Sequence, residues 1–329
     1  MSTNLQSIFT PISADMQSLN EVIRTRLSSD VALINQISAY IIEAGGKRIR
    51  PALLLLTSQA IANGAPIQHH LDMAAVVEFI HTATLLHDDV VDESNLRRGR
   101  ATANAAFGNA ASVLVGDFLY SRAFQMMVAP NEIKILQILA DATNTIAEGE
   151  VLQLMNMHDP DVNEERYMQV IHYKTGKLFE ASSALGALLA KATPEQFQAA
   201  EAYGRHIGTT FQLVDDILDY TASAEQMGKN AGDDLREGKP TLPLIYLLEN
   251  GTQQQQALIR SAIEQAEELP EDLFAQVYSA IMASDAISYT EAVAKREAQL
   301  AKDCLKCFPS NAAKESLLNL CDYSLQRST

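Results

Sequence analysis

The sequence has few residues that interrupt helices and few that carry positive charge. Its 329 residues include only 15 Gly and 10 Pro, which favours long helices over many short strands. Only 25 Lys and Arg stand against 41 Asp and Glu, so the formal net charge is −16. We expect no nucleic-acid binding, because such binding relies on clustered cations that neutralise phosphates.

Cysteine is also scarce. Three Cys residues are too few, and odd in number, for a disulfide framework. Cys304 and Cys307 form a C-x-x-C pair, but zinc would need two further ligands and every His lies upstream of residue 207. We interpret this pair as two thiols on one helix face.

Long apolar runs are missing from the sequence. The densest run, Ala52–Leu56, is far shorter than the ~18 residues that a membrane-spanning helix needs. Residues 1–15 contain no Lys or Arg and no continuous apolar core, so we expect no secretory signal. These features together predict a cytoplasmic protein that spans no membrane.

The apolar residues that are present recur at helical spacing. Val31, Ile34, Ile37 and Ile41 follow the capping candidates Ser28-Ser29-Asp30 and precede a Gly-Gly stop. The same reasoning predicts further helices near residues 51–61, 71–93, 112–127, 133–157, 163–191, 194–220 and 242–249. Because no polar linker is long enough to divide the chain, we predict one all-α domain over residues 1–329.

Two acidic motifs share the pattern D-D-x-x-D, Asp88-Asp89-x-x-Asp92 and Asp215-Asp216-x-x-Asp219. Residues four apart lie on one helix face, so each motif points a carboxylate pair in one direction. A solvated acidic face is the simpler interpretation of one such motif, but both motifs are flanked by apolar residues. Buried carboxylates are costly unless a cation offsets them. Hard oxygen donors favour Mg²⁺ or Mn²⁺, and Mg²⁺ completes its shell with water and substrate phosphate, so we expect a polyphosphate ligand.

The basic residues concentrate where such an anion would bind. They occur in two groups, one after the Gly-Gly break and one after the first acidic motif, with further cations downstream. The residues are Lys47, Arg48 and Arg50; Arg97, Arg98 and Arg100; and Lys174, Lys229 and Lys239. His81 lies seven residues before Asp88, on the same side of that helix. Arg suits bidentate phosphate contacts and Lys suits point-charge contacts.

Together these motifs resemble those of the trans-isoprenyl (polyprenyl) diphosphate synthase family over nearly the whole chain. The resemblance implies an all-α bundle of long helices around a deep central cavity, the isoprenoid synthase fold, and usually a homodimer. It implies isopentenyl diphosphate binding by Lys47, Arg50, His81 and Arg98. It implies binding of an allylic prenyl diphosphate by Arg97, Lys174, Thr175, Gln212, Lys229 and Lys239.

The resemblance also implies a mechanism. Mg²⁺ ions between the two motifs, bound by Asp88, Asp92, Asp215, Asp216 and Asp219, neutralise the allylic diphosphate as it leaves, and Asp89 and Lys174 join the catalytic set. The double bond of isopentenyl diphosphate then attacks the allylic carbocation, and the adduct loses a proton, with released diphosphate as the expected base.

Product length depends on the helix that carries the first motif. Ala83 and Thr84 lie five and four residues before Asp88, about one turn deeper. Both are small, whereas short-chain members of the family place an aromatic side chain there to close the pocket. Met126 and Met127 resemble the next stretch of the tunnel wall, although ordinary core packing explains them equally well. We therefore expect a C40 product for a lipid quinone, with C45, or a short farnesyl or geranylgeranyl product, as alternatives. Product release involves peripheral membrane contact at most.

Two other functions compete with this interpretation. His87-Asp88 resembles the His-Asp pair of metal phosphohydrolases, but no other His is arranged beside Asp215 or Asp219. A regulatory subunit without turnover would lose aspartates from a motif, and both motifs are whole here.

Overall fold

The computed structural model describes residues 4–43, 45–97, 99–222 and 232–327. Most of these residues are helical, which confirms the predicted all-α class. The helices are α1 (Leu5–Ile8), α2 (Ser13–Leu27), α3 (Ala32–Glu43), α4 (Ile49–Ala62), α5 (His70–Val91), α6 (Ala103–Phe107), α7 (Asn109–Val128), α8 (Ile133–Asn156), α9 (Glu164–Ile171), α10 (Lys177–Leu189), α11 (Pro194–Thr221), α12 (Asp233–Arg236), α13 (Leu242–Asn250), α14 (Gln253–Glu264), α15 (Glu271–Met282), α16 (Ala286–Cys304) and α17 (Ala312–Gln326).

The described residues group into two compact units. The first contains those of Met1–Thr143, Leu178–Gly204 and Lys302–Tyr323, and the second contains those of Asn144–Lys177, Arg205–Ala301 and Ser324–Thr329. The single domain over residues 1–329 stays a prediction. None of the described helices combines the length and the apolar character needed to cross a bilayer.

The first unit is built around α5, which packs most extensively on α7 and also on α4 and α2. Buried side chains, most of them apolar or small, occur along nearly the whole length of α4 and through the middle of α5. Gly186 on α10 permits close approach to α4, since a Cβ there would lie 2.5 Å from the backbone oxygen of Leu54. The acidic end of α5 therefore projects from a rigid, well-packed helix.

The second unit has one core cluster that lies directly behind the second acidic motif. Tyr167 and Ile171 of α9 are buried in this cluster with Leu213, Val214 and Leu218 of α11. Leu242 and Ile245 of α13 belong to the same cluster. These contacts fix the acidic stretch of α11 against α9.

The structure corrects three details of the predicted elements. The helix predicted over residues 163–191 is interrupted by a π-helical segment, His172–Gly176, between α9 and α10. A short antiparallel ribbon, Leu96–Arg97 (β1) with Arg100–Ala101 (β2), follows the first motif where the sequence indicates no strand. Cys304 ends α16 and Cys307 lies in a 3₁₀ turn, so the two thiols do not share one α-helical face.

Candidate functional site

The first acidic motif lies at the C-terminal end of α5. Asp92 is the C-cap residue, and its backbone N–H donates to the Asp88 carbonyl at 2.8 Å, which keeps the two residues one turn apart. Asp89 is buried and accepts hydrogen bonds from the Nε and Nη2 atoms of Arg97 at 2.9 and 2.7 Å. Asp89 therefore anchors the β1 strand, while Asp88 and Asp92 are partly exposed.

The predicted isopentenyl diphosphate residues lie in the same unit. Arg50, in the first turn of α4, donates from Nη1 to the Nε2 atom of His81 at 3.0 Å. The guanidinium of Arg50 also lies over the Phe179 ring, 4.5 Å from its centroid. Arg48 has a positive φ of 52° and pairs with Glu78 at 3.0 Å. The Arg48 side chain is therefore fixed in a structural ion pair, while Arg50 and His81 contact each other.

The four predicted chain-length residues belong to the α5 and α7 helices. Ala83 is fully buried, and Thr84 donates a hydrogen bond to the His81 carbonyl at 2.8 Å. Met126 and Met127 are buried near the end of α7. Position 83 is thus a buried position with a small side chain, about one turn before Asp88.

The second motif has carboxylates of very different exposure. Asp215 has a side chain that is 53% exposed, and its Oδ1 atom pairs with the Nη2 atom of Arg327 at 2.8 Å. Asp216 is only 1% exposed, and Asp219 is also buried. Asp216 accepts hydrogen bonds at both oxygens, from the Tyr167 hydroxyl and from the Gln212 amide at 2.9 Å.

Asp234 is a further acidic residue of this site that sequence reasoning missed. Burial raises the pKa of Asp216 well above its usual range, and the nearby charge of Asp234 raises it further. The same two causes raise the pKa of Asp219 to about 9. Asp234 is the second residue of the short helix α12, outside any D-D-x-x-D pattern, and its backbone N–H donates to the Oδ2 atom of Asp219 at 3.4 Å.

The π-helical segment presents two predicted allylic-side residues. Lys174 Nζ donates to Glu150 Oε2 at 2.6 Å, and Thr175 Oγ1 donates to Gln212 Oε1 at 2.8 Å. Gly149 of α8 lies directly against this segment, because a Cβ there would be 2.7 Å from the backbone nitrogen of Lys174. π-Helical turns within α-helices are frequent at functional sites.

Of the predicted cations Lys239, Arg98 and Lys229, the structure describes Lys239. Gly238, with a φ of +75°, lies against the His158 ring, and the next residue, Lys239, donates its backbone N–H to the Asp234 carbonyl at 2.8 Å. The Lys239 ammonium pairs with Glu237. Arg98 and Lys229 lie outside the described residues.

The donors of the second motif suit a hard divalent cation. The charge of Asp234 makes ionisation of Asp216 and of Asp219 more costly, and a cation bound to these carboxylates would reduce that repulsion. Among the described residues, no group of three or more His, Cys, Asp or Glu side chains could hold a metal alone. Mg²⁺ does not require one, because it commonly binds one or two carboxylates and fills its shell with water and phosphate.

Comparisons with known proteins identify the family of this chain. The family model "Polyprenyl synthetase" matches residues 31–281. The chain is 51% identical to the octaprenyl diphosphate synthase of Escherichia coli, covering 98% of this chain and 99% of that protein. It is 43% identical to an all-trans-nonaprenyl-diphosphate synthase of Rhodobacter capsulatus, covering 98% of both chains.

A solved structure gives the same result for the fold. The polyprenyl synthase of Caulobacter crescentus, in complex with calcium and isoprenyl diphosphate, matches with a TM-score of 0.94 and 43% identity over 100% of this chain and 99% of that one. This match confirms the predicted isoprenoid synthase fold. The chain belongs to the polyprenyl synthetase family.

Proposed function

We propose that this chain is a long-chain all-trans polyprenyl diphosphate synthase that adds isopentenyl diphosphate successively onto an allylic diphosphate such as farnesyl diphosphate. The observation that carries the proposal is the pair of intact acidic motifs, each with carboxylates anchored by neighbouring side chains. The identity to the E. coli octaprenyl diphosphate synthase supports a C40 product, and the R. capsulatus relative keeps C45 as the alternative.

The two motifs would hold Mg²⁺ through Asp88 and Asp92 and through Asp215, Asp216 and Asp219. Bound Mg²⁺ supplies charge neutralisation for the leaving diphosphate. Arg97, Lys174 and Lys239 would bind the same diphosphate, and Thr175 and Gln212 would orient it. Such fixed charges favour ionisation of the allylic C–O bond, because they stabilise the charge that develops on the leaving group.

Arg50 and His81 would bind the diphosphate of isopentenyl diphosphate, together with Lys47 and Arg98. Their 3.0 Å contact supports a shared anion site. Ionisation breaks the allylic C–O bond, and its electron pair leaves with the diphosphate. The double bond of the bound isopentenyl group then attacks the resulting allylic carbocation and forms one C–C bond. The adduct then loses a proton to the released diphosphate, which restores the double bond. Binding both substrates on one protein would supply the rate advantage of proximity.

The small side chains at positions 83 and 84 support a long product. Ala83 is buried one turn before Asp88, and Thr84 bonds to its own helix. Neither side chain provides the aromatic block of a short-chain enzyme. Met126 and Met127 would form an adaptable part of the wall.

We further propose a cytoplasmic homodimer with a product destined for a lipid quinone. One face of α7 exposes Leu114, Phe124 and Val128, and Ile133 at the start of α8 is also exposed. Exposed apolar surface of this kind supports association with a second copy. Sedimentation equilibrium should then give twice the chain mass of 36.0 kDa, and a monomer would refute the dimer.

The catalytic proposal can be tested with labelled isopentenyl diphosphate, farnesyl diphosphate and Mg²⁺. Asp88→Asn and Asp215→Asn should each reduce incorporation by about 100-fold or more, because each removes a metal-ligand charge. Asp161→Asn is the matched control, since Asp161 forms an exposed ion pair with Arg260. Equal activity of all three variants would exclude the proposed mechanism.

A further inference from the structure

Tyr167 occupies the interior of the second unit although it belongs to no sequence motif. It lies on α9, is buried among the apolar side chains of α11 and α13, and directs its hydroxyl to the Oδ2 atom of Asp216. The hydroxyl of this buried side chain therefore has Asp216 as its hydrogen-bond partner.

The Tyr167 contact is one end of a continuous hydrogen-bond chain. Thr175 donates to Gln212 at 2.8 Å, Gln212 donates to Asp216 Oδ1 at 2.9 Å, and Tyr167 donates to Asp216 Oδ2. Tyr167 lies on α9 and Thr175 lies within the π-helical segment, and they contact Asp216 and Gln212, which are one turn apart on α11. Both oxygens of Asp216 are thus held in place. Tyr167 of α9 holds one of them, and Gln212, itself bonded to the segment that carries Lys174, holds the other.

We infer that Tyr167 is a positioning residue that fixes Asp216, and through it the carboxylate face of α11, for divalent-metal binding. This inference rests on the proposed function and deepens it. Asp216 is only 1% exposed, so bulk water competes little for this hydrogen bond, and the bond favours one orientation of the carboxylate. Removing a partner that orients a metal-binding carboxylate in this way typically weakens metal affinity about 10- to 100-fold.

Tyr167→Phe tests the inference, because it removes the hydroxyl and keeps the ring in the core. We expect the dissociation constant for Mn²⁺, measured by the EPR signal of the free ion without substrate, to rise about tenfold. Tyr203→Phe is the matched control. Tyr203 is equally buried, but its hydroxyl donates to the backbone carbonyl of Leu317 at 2.8 Å within the first unit. This control should lose stability without any change in Mn²⁺ affinity.

A double variant separates positioning from a general structural effect. If Tyr167 acts through Asp216, Tyr167→Phe should weaken Mn²⁺ binding in the native background and add nothing in an Asp216→Asn background. Additive losses, or an affinity in Tyr167→Phe equal to that in Tyr203→Phe, would overturn the inference.

Two further results keep the test decisive. If Tyr167→Phe fails to fold, Thr175→Val tests the other end of the hydrogen-bond chain. This variant should also weaken Mn²⁺ binding, and an unchanged Mn²⁺ affinity would overturn the inference. Native protein that binds Mn²⁺ but incorporates no isopentenyl diphosphate would refute the proposed function alone, since the Mn²⁺ titration still judges the role of Tyr167.

Discussion

Gly149 sets the position of the π-helical segment, so replacing it with Ala should displace Lys174. A Cβ at position 149 would lie 2.7 Å from the Lys174 nitrogen, 2.8 Å from Tyr173 Cβ and 2.9 Å from the Tyr173 carbonyl carbon. Two of these atoms belong to the backbone, so no side-chain rotation relieves the contact. Reaching ordinary contact at 3.4 Å requires α8 and the segment to separate by several tenths of an ångström.

Gly149→Ala should change stability less than it changes catalysis. Ala gains about 1 kcal/mol of helix propensity over Gly, and overpacking costs about 1–3 kcal/mol, so the net loss of stability should be modest. Catalysis should suffer more, because misplacement of a catalytic group by about 1 Å can cost about 100-fold. We expect kcat to fall on the order of tenfold in Gly149→Ala.

Steady-state incorporation of labelled isopentenyl diphosphate, normalised to folded protein by circular dichroism, measures this effect. Gly186→Ala is the matched control, because its Cβ would meet the Leu54 carbonyl oxygen at 2.5 Å, on α4 rather than at Lys174. Gly186→Ala should lose at least as much stability and retain kcat. Equal kcat values for the two variants would refute the reasoning about Gly149.

Two other substitutions test separate parts of the account. Ala83→Tyr should shorten the product, because an aromatic ring one turn before Asp88 would fill space that the growing chain needs; an unchanged length by chromatography of the dephosphorylated products would contradict this. Arg327→Gln should lower the thermal midpoint by about 4 °C, which corresponds to about 2 kcal/mol. The Arg327 guanidinium is only 5% exposed, donates to the Phe211 carbonyl and lies 4.5 Å from the Phe211 ring centroid. Arg260→Gln, at an exposed ion pair, should leave the midpoint nearly unchanged, and equal shifts in calorimetry would refute the role of Arg327.

The local signals in the sequence predicted the helices well. Ser28-Ser29-Asp30 and the Gly-Gly break bound the helix observed as Ala32–Glu43, and Pro51 lies in the first turn of the helix that begins at Ile49. These ends depend on caps and breakers within a few residues, so the sequence shows them directly. The acidic motifs were visible for the same reason.

The sequence patterns did not reveal the residues that anchor those motifs. Tyr167 and Asp216 are 49 residues apart, and Arg327 lies far beyond Asp215 in the sequence. Asp234 lies on α12, whereas Asp219 lies on α11. No periodicity connects such pairs, because tertiary packing brings them together, as the packing of α9 on α11 does for Tyr167 and Asp216. The π-helical segment was missed since its apolar spacing resembles that of an ordinary α-helix.

The central claim concerns the length of the prenyl product that this protein synthesises. Purified protein incubated with Mg²⁺, farnesyl diphosphate and labelled isopentenyl diphosphate, followed by dephosphorylation and chromatography against prenol standards, measures that length directly. The account predicts a C40 product, and C45 would keep the long-chain interpretation with one more unit. A C15 to C20 product, or no incorporation by folded protein, would contradict it.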